Sequence, residues 1–181
     1  VTANGVKTSD AEYEFDIIVY ATGFDAVRGA FDHIDFEGVN GQTLKAKWED
    51  GPRTYLGMTI EGFPNLFTVV GPHNAATFCN IPRCIEQNVE WLADLFEYIQ
   101  ENDIERVEAT LAAEDEWTDH VHDTAKKMLF SKVDSRFMGY NPNLPGRQKK
   151  TFMLYAGGAP AYRKRCDDVS DNGYRGLSLT P

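Results

Sequence analysis

No apolar run in the chain approaches the roughly 20 residues that carry a helix across a bilayer, so none of its 181 residues is expected to span a membrane. Positive charge is also scarce: 18 Lys and Arg stand against 28 Asp and Glu, a formal net charge of −10. A surface of that sign repels phosphate backbones and anionic headgroups. This excludes nucleic acid and membranes as expected partners and favours small molecules or other proteins. Cysteine is rare and odd in number. Cys79, Cys84 and Cys166 lack the spacing of a disulfide framework, which points to a reducing, cytoplasmic setting. Cys79 and Cys84 lack C-x-x-C spacing as well and read as small buried hydrophobes. The opening VTANGVKTSD has neither the charged nor the apolar region of a signal peptide. It starts on Val1 rather than Met, with a hairpin expected to turn at Asn4-Gly5, and reads as part of something longer. Finally, no Gly-rich phosphate loop occurs anywhere in the sequence.

What remains is a globular composition, 42% hydrophobic and 25% charged, of a length that suits one domain. Phe15–Tyr20, Asn65–Val70 and Thr151–Ala156 are short apolar runs of the kind found in strands buried on both faces. Ile85, Val89, Leu92, Phe96 and Ile99 recur at 4-3-4-3 spacing and predict a helix over 81–101, with Asn80 as N-cap and Pro82 in the tolerant first turn. A second helix is expected over 112–129, a last one over 160–169, and a short strand over 107–110. Strands alternating with helices indicate an α/β fold, with too few strands for a complete doubly wound sheet.

Two of the apolar runs stop at small residues, Ala21-Thr22-Gly23 and Gly71-Pro72. In open α/β sheets ligands bind beyond the carboxyl ends of strands. A glycine there lets the backbone approach a flat ring or a pyrophosphate. Either end alone is equally well an ordinary turn. Other constellations carry less. His120 and His122 are two apart on a helix and point to different faces, so no metal site is expected. Gly157-Gly158 reads as tight packing before a helix, and Trp91, Phe96 and Trp117 as core.

The segments DIIVYATGFDA, TYLGMTIEGFPNLFTVVGP, IEQNVEWLADLFEYI, SRFMGYNPNLPG and LYAGGAPAYRKRCDDVSDNGYRGL follow one another as in the C-terminal part of the flavin-dependent Baeyer–Villiger monooxygenases of the cyclohexanone-monooxygenase type, which the chain resembles from about Glu14 to Leu179. The resemblance implies an enzyme using FAD and NADPH to insert one oxygen atom of O2 next to a ketone carbonyl, giving an ester or lactone. It accounts for the missing phosphate loops, which that family carries upstream. It also implies a fold made of the returning half of an FAD-binding Rossmann-type domain (26–181) and the exit strand and crossover of an NADPH-binding domain (1–25). On this reading the chain needs the N-terminal part of the enzyme. An N- or S-oxidising flavoprotein monooxygenase is the nearest alternative, and a non-catalytic α/β binding module the next.

By the same resemblance, Ala21, Thr22, Gly23 and Asp25 lie at the crossover near the flavin, Gly71 and Pro72 end the strand beneath it, and Asn80 and Ile81 open the helix beside it. Ala76, Thr77 and Phe78 face the ketone. No residue of the chain is expected to act as nucleophile or acid–base catalyst, because the cofactor carries the bond-making chemistry. One departure stands out. The family pattern S-W-x-x-G-x-N has Arg136 in place of Trp, and a five-donor cation there is expected to contact the ribose or a phosphate of NADP+.

Overall fold

The computed structural model describes residues 1–21, 27–74, 79–141 and 150–181, except the side chain of Phe130. Strands β1 (Gly5–Lys7) and β2 (Glu12–Glu14) form an antiparallel hairpin with Val6 opposite Tyr13. Its turn is Thr8–Ala11, not the expected Asn4-Gly5. The Thr8 hydroxyl accepts from the Asp10 and Ala11 N–H groups, and this side-chain-to-backbone closure fixes the turn.

The short helices α1 (Gly29–Asp32) and α2 (Leu44–Lys47) follow. Thr43 caps α2 by accepting from Ala46 N at 3.2 Å. They enclose a small core of Leu44, Trp48, Ile60 and Phe63, flanked by Phe31, Phe36 and Leu66. The larger core lies between α3 (Ile81–Glu101), α4 (Leu111–Ala125) and α5 (Ala159–Asp171), with Leu56, Met58 and Phe152–Tyr155 inserted. Trp91 of α3 reaches α5, its indole N–H donating to Cys166 O at 2.9 Å. Strands β3 (Arg106–Ala109) and β4 (Leu177–Thr180) pair antiparallel beside this core.

The α3 boundaries agree with those read from the sequence, and α4 and α5 with shifted ends. The three buried strands do not form. Phe15–Tyr20, Asn65–Val70 and Thr151–Ala156 carry no strand assignment, and no parallel pair occurs among the described residues. A ladder needs a neighbour to take its N–H and C=O groups. Thr151, Met153 and Tyr155 donate theirs to Met138, Phe137 and Asn74 without assembling a regular sheet. Ile17 and Val19 are about as exposed as side chains can be, at 80% and 82%.

Helix α3 likewise departs from its expected orientation. The face turned to the core is Cys84, Asn88, Trp91, Leu92 and Leu95. The adjacent stripe of Ile85, Val89 and Phe96 is 40–50% exposed. The apolar arc of α3 is therefore wider than one packing face, and half of it is bare. Phe96, expected in the core, is among the exposed residues, its ring edge-on to Phe67 at 5.1 Å. Trp91 and Trp117 are buried as expected.

Candidate functional site

The turn that ends the Asn65–Val70 run is bent at two non-glycine residues. Val70 and His73 have φ of 54° and 67°, on either side of Gly71-Pro72. Left-handed backbone at a β-branched residue costs of order 1 kcal/mol or more, so the surroundings must impose it. They do so from three directions. Val70 N donates to Asn88 Oδ1 of α3 at 2.9 Å, and the Thr54 hydroxyl donates to Pro72 O at 3.0 Å. His73 N donates to Met153 O at 2.8 Å, while Asn74 O accepts from Tyr155 N at 2.9 Å.

Beneath the turn lies a buried polar cluster. The Asn74 amide donates to Asn88 Oδ1 at 2.9 Å and to Tyr162 Oη at 2.8 Å. The Tyr162 hydroxyl donates to Leu56 O at 2.6 Å and accepts from Asn88 Nδ2 at 3.3 Å. Burial pushes the Tyr162 phenol well above its ordinary range, so it stays a neutral donor. His73 is fully buried, with the Phe152 backbone beside its ring and no side-chain hydrogen-bond partner among the described residues. Its pKa is pushed down to about 3, first by burial and then by His122, whose ring stands edge-on at 5.9 Å. Asn74 Oδ1 is also buried without a hydrogen-bond partner among the described residues.

Of the residues nominated from sequence, Thr22, Gly23, Asp25, Ala76, Thr77 and Phe78 lie outside the described residues. Ala21 is exposed at the end of the bare apolar segment. Gly71 is half-buried and Pro72 buried. A Cβ on Gly71 would collide with Thr68 Oγ1 and come within 2.6 Å of Gly57 O, so within the described residues this glycine serves packing inside the chain. Asn80 and Ile81 are exposed at the start of α3, and Asn80 occupies the N-cap position without a side-chain capping bond. Arg136 is exposed in a single 3-10 turn, Arg136–Met138, where its carbonyl accepts from Gly139 N at 3.0 Å, and its side chain makes no hydrogen bond or ion pair with the described residues.

One strand-like string ties these places together. Residues 151–155 are bonded on one side to Phe137 and Met138, next to Arg136, and on the other to His73 and Asn74, next to Gly71-Pro72. Asn88 then fastens that turn to α3. The Gly71 turn, the Arg136 turn and α3 thus form one connected frame, whereas no hydrogen bond among the described residues brings Ala21 to it. Sequence reasoning missed Asn74, Asn88 and Tyr162. Asn88 did leave a signal, a polar residue inside the apolar arc of α3.

Among the described residues no His, Cys, Asp and Glu group could hold a metal ion. His120 Nε2 is 3.1 Å from Tyr155 Oη and His122 Nε2 is 3.2 Å from Thr151 Oγ1, so each imidazole has its own partner. Cys79 and Cys84 are a disulfide, not two separate buried hydrophobes. The five-residue separation lets the chain fold back on itself as it enters α3, which a search for C-x-x-C spacing does not detect.

The chain is 41% identical over 179 residues to the 2-oxo-Δ3-4,5,5-trimethylcyclopentenylacetyl-CoA monooxygenase of Pseudomonas putida, covering 99% of this chain and 33% of the relative. It superimposes on the crystal structure of a cyclohexanone monooxygenase from Rhodococcus sp. Phi1 bound to NADP+ with a TM-score of 0.88 at 41% identity, covering 99% of this chain and 33% of that one. Almost the whole chain is thus similar, in sequence and in fold, to part of the Baeyer–Villiger monooxygenases. It spans about a third of the length of the curated relatives it matches and corresponds to their C-terminal part. Against the crystal structure of OTEMO in complex with FAD and NADP, the chain has a TM-score of 0.87 at 40% identity, covering 99% of its own length and 32% of the other. No family model matches the chain. The α/β class expected from sequence agrees with these neighbours, and no described helix is long and apolar enough to cross a membrane.

Proposed function

We propose that this chain is the C-terminal third of an FAD- and NADPH-dependent monooxygenase that places one oxygen atom of O2 next to a ketone carbonyl, giving an ester or lactone. The observation that carries the reading is the match along 99% of the chain, at 40% identity and a TM-score of 0.87, to a structure holding both FAD and NADP. Residues 1–25 are assigned to the exit strand and crossover of the NADPH domain, and 26–181 to the returning half of the FAD domain. The bare apolar side chains of Ile17 and Val19 and of the α3 stripe support this, because a segment patterned for two-sided burial needs neighbours from elsewhere in the enzyme.

The residues present fit the two cofactors. FAD would lie against Gly71, Pro72, Asn80 and Ile81, with Ala21, Thr22, Gly23 and Asp25 at the crossover. The first turn of the 21-residue α3, lacking a side-chain cap at Asn80, offers positive dipole potential to negative charge on a bound ring. Asn74 Oδ1, buried and without a hydrogen-bond partner among the described residues, offers an acceptor at the Gly71-Pro72 turn. The strained backbone at Val70 and His73, held by Asn88 and Met153, is what a preformed ligand turn looks like. Arg136 has five donors and no protein partner among the described residues, which suits the ribose or a phosphate of NADP+. Ala76, Thr77 and Phe78 are assigned to the ketone pocket.

When bound, the flavin supplies electron transfer and oxygen activation, while this chain binds, orients and keeps water out. The test is to supply the full-length enzyme with FAD, NADPH, a panel of ketones and heavy-isotope O2. The expected product is an ester or lactone carrying a single heavy oxygen atom. Formation of N- or S-oxides with no ester from any ketone would overturn the assignment.

A further inference from the structure

Cys79 and Cys84 stand at the point where the chain, having left the Gly71-Pro72 turn, enters α3. Their Cα atoms are 6.8 Å apart, at the far edge of the range a disulfide bridges, and the two sulfurs are bonded. Their surroundings differ. Cys84 is buried in the first turn of α3, where its N–H donates to Asn80 O at 3.1 Å. Cys79 is only half-buried, and its Sγ lies 3.5 Å from the same Asn80 carbonyl, an acceptor for the thiol when the bond is open. A thiol at a helix N-terminus is the easier one to ionise, and the solvent-facing one is the easier to reach. The third cysteine, Cys166, is fully buried, with its thiol pushed up to about 12 by burial, and stays out of any exchange.

We propose that Cys79 and Cys84 are a reversible dithiol–disulfide couple that fastens the segment after the Gly71-Pro72 turn to the first turn of α3. The exchange partner is a small disulfide such as oxidised glutathione. The Cys79 thiolate attacks one sulfur of that disulfide, forming a mixed disulfide and releasing one glutathione thiolate, which takes up the Cys79 proton. The Cys84 thiolate then attacks the Cys79 sulfur, closing the internal bond and releasing the second glutathione with the Cys84 proton. Two electrons and two protons pass from the pair to glutathione, and an excess of reduced glutathione runs the sequence backwards. The bond closes a loop that begins one residue beyond Ala76–Phe78. If those residues line the ketone pocket as proposed above, the redox state of the pair sets how firmly the pocket wall is anchored. The couple itself does not depend on that reading.

The experiment equilibrates the chain in glutathione buffers from fully reduced to fully oxidised, followed by acid quench, alkylation and peptide mass measurement. With excess oxidised glutathione, the peptide holding Cys79 and Cys84 is expected to lose two hydrogens while Cys166 remains a thiol; excess reduced glutathione restores both thiols. In Cys84→Ser the reaction is expected to stop with one glutathione on Cys79. Trypsin supplies a second readout, because Arg83 lies inside the closed loop: cleavage after Arg83 should be about tenfold slower in the oxidised chain. The proposal is overturned if the pair stays reduced in excess oxidised glutathione, if each cysteine takes up glutathione without closing an internal bond, or if reduced glutathione cannot reopen it. Equal trypsin rates in the two states would likewise overturn the fastening.

Discussion

Acidification from pH 7 to pH 5 is expected to cost the fold about 2 kcal/mol through a single residue, His73. In the folded chain this imidazole is fully buried and resists protonation down to about pH 3. In the unfolded chain it takes up a proton below about pH 6.5. The folded value is the lower one, so the unfolded state binds more protons throughout the window between the two. Stability is fully present above pH 6.5 and declines as the pH falls towards 3, at about 1.4 kcal/mol per pH unit. From pH 7 to pH 5 the chain crosses about 1.5 units of that window, which gives the 2 kcal/mol. His122, facing it at 5.9 Å, is also lowered, chiefly by burial, and adds loss of the same sign. Arg53 is the other charge that disfavours the protonated ring. The assay is urea unfolding of the chain at pH 7, 6 and 5, in a His122→Gln background to isolate His73. Against that background, His73→Phe, which keeps the ring volume and cannot titrate, should flatten the pH dependence by about 2 kcal/mol. If the His73→Phe chain loses as much stability on acidification as its parent, burial of His73 does not exclude the proton and the reasoning fails.

Tyr162→Phe removes the hydroxyl shared by Leu56 O, Asn74 and Asn88 and should lower stability by about 1–3 kcal/mol; an unfolding midpoint within error of the parent would show that the cluster is not holding the turn. Glu114 is wholly buried, with Oε1 accepting from Glu61 N at 3.0 Å and Oε2 3.1 Å from Lys47 Nζ, whose side chain is itself only 7% exposed. Lys47 also pairs with Glu61 at 2.5 Å, so Glu114→Ala leaves it one partner but takes the acceptor from Glu61 N, and should cost about 1–3 kcal/mol, whereas Asp115→Ala, which breaks only the surface pair with Arg53, should cost under about 1 kcal/mol by the same assay. In the full-length enzyme, Arg136→Ala should weaken NADP+ binding roughly 10–150-fold, the loss of one charge-assisted hydrogen bond, as read by fluorescence titration. An unchanged affinity would leave Arg136 as a solvated surface residue.

Much of the helical part was legible because its signals are local. Asn80 before Ile81-Pro82 and the run to Glu101 are written within a few residues of where they act, whereas the Thr110 cap of α4 was read as the end of a strand. The strands were legible as pattern but not as structure. Phe15–Tyr20 has the composition of a buried strand, yet pairing is a property of two segments, and beyond Phe15, whose N–H donates to Asn4 O at 3.0 Å, no described strand pairs with it. The facing of α3 failed for a related reason. Period alone finds an apolar arc but does not divide it, and the half chosen by the core was the one containing Asn88, not the one through Ile85 and Val89. At the candidate site, Gly71-Pro72 was found because a glycine after an apolar run is a local sign. The Asn74–Asn88–Tyr162 cluster was not, because its members are 14 and 74 residues apart along the chain. The disulfide escaped because the spacing searched for was two intervening residues rather than four.

The divided arc of α3 has a consequence for heredity. A helix with two apolar faces answers to two separate selective pressures within one stretch of 21 residues. Substitutions at Trp91, Leu92 or Leu95 strike the interior of this chain, and a cell would register them as lost protein. Substitutions at Ile85 or Val89 leave that interior intact and touch only what the bare stripe meets. Alleles of the second kind should yield normal amounts of a chain that fails in association, and compensating changes for them should arise outside these 181 residues, whereas suppressors of the first kind should arise within them. The phase of the helix, residue by residue, would then be readable from where second-site suppressors fall.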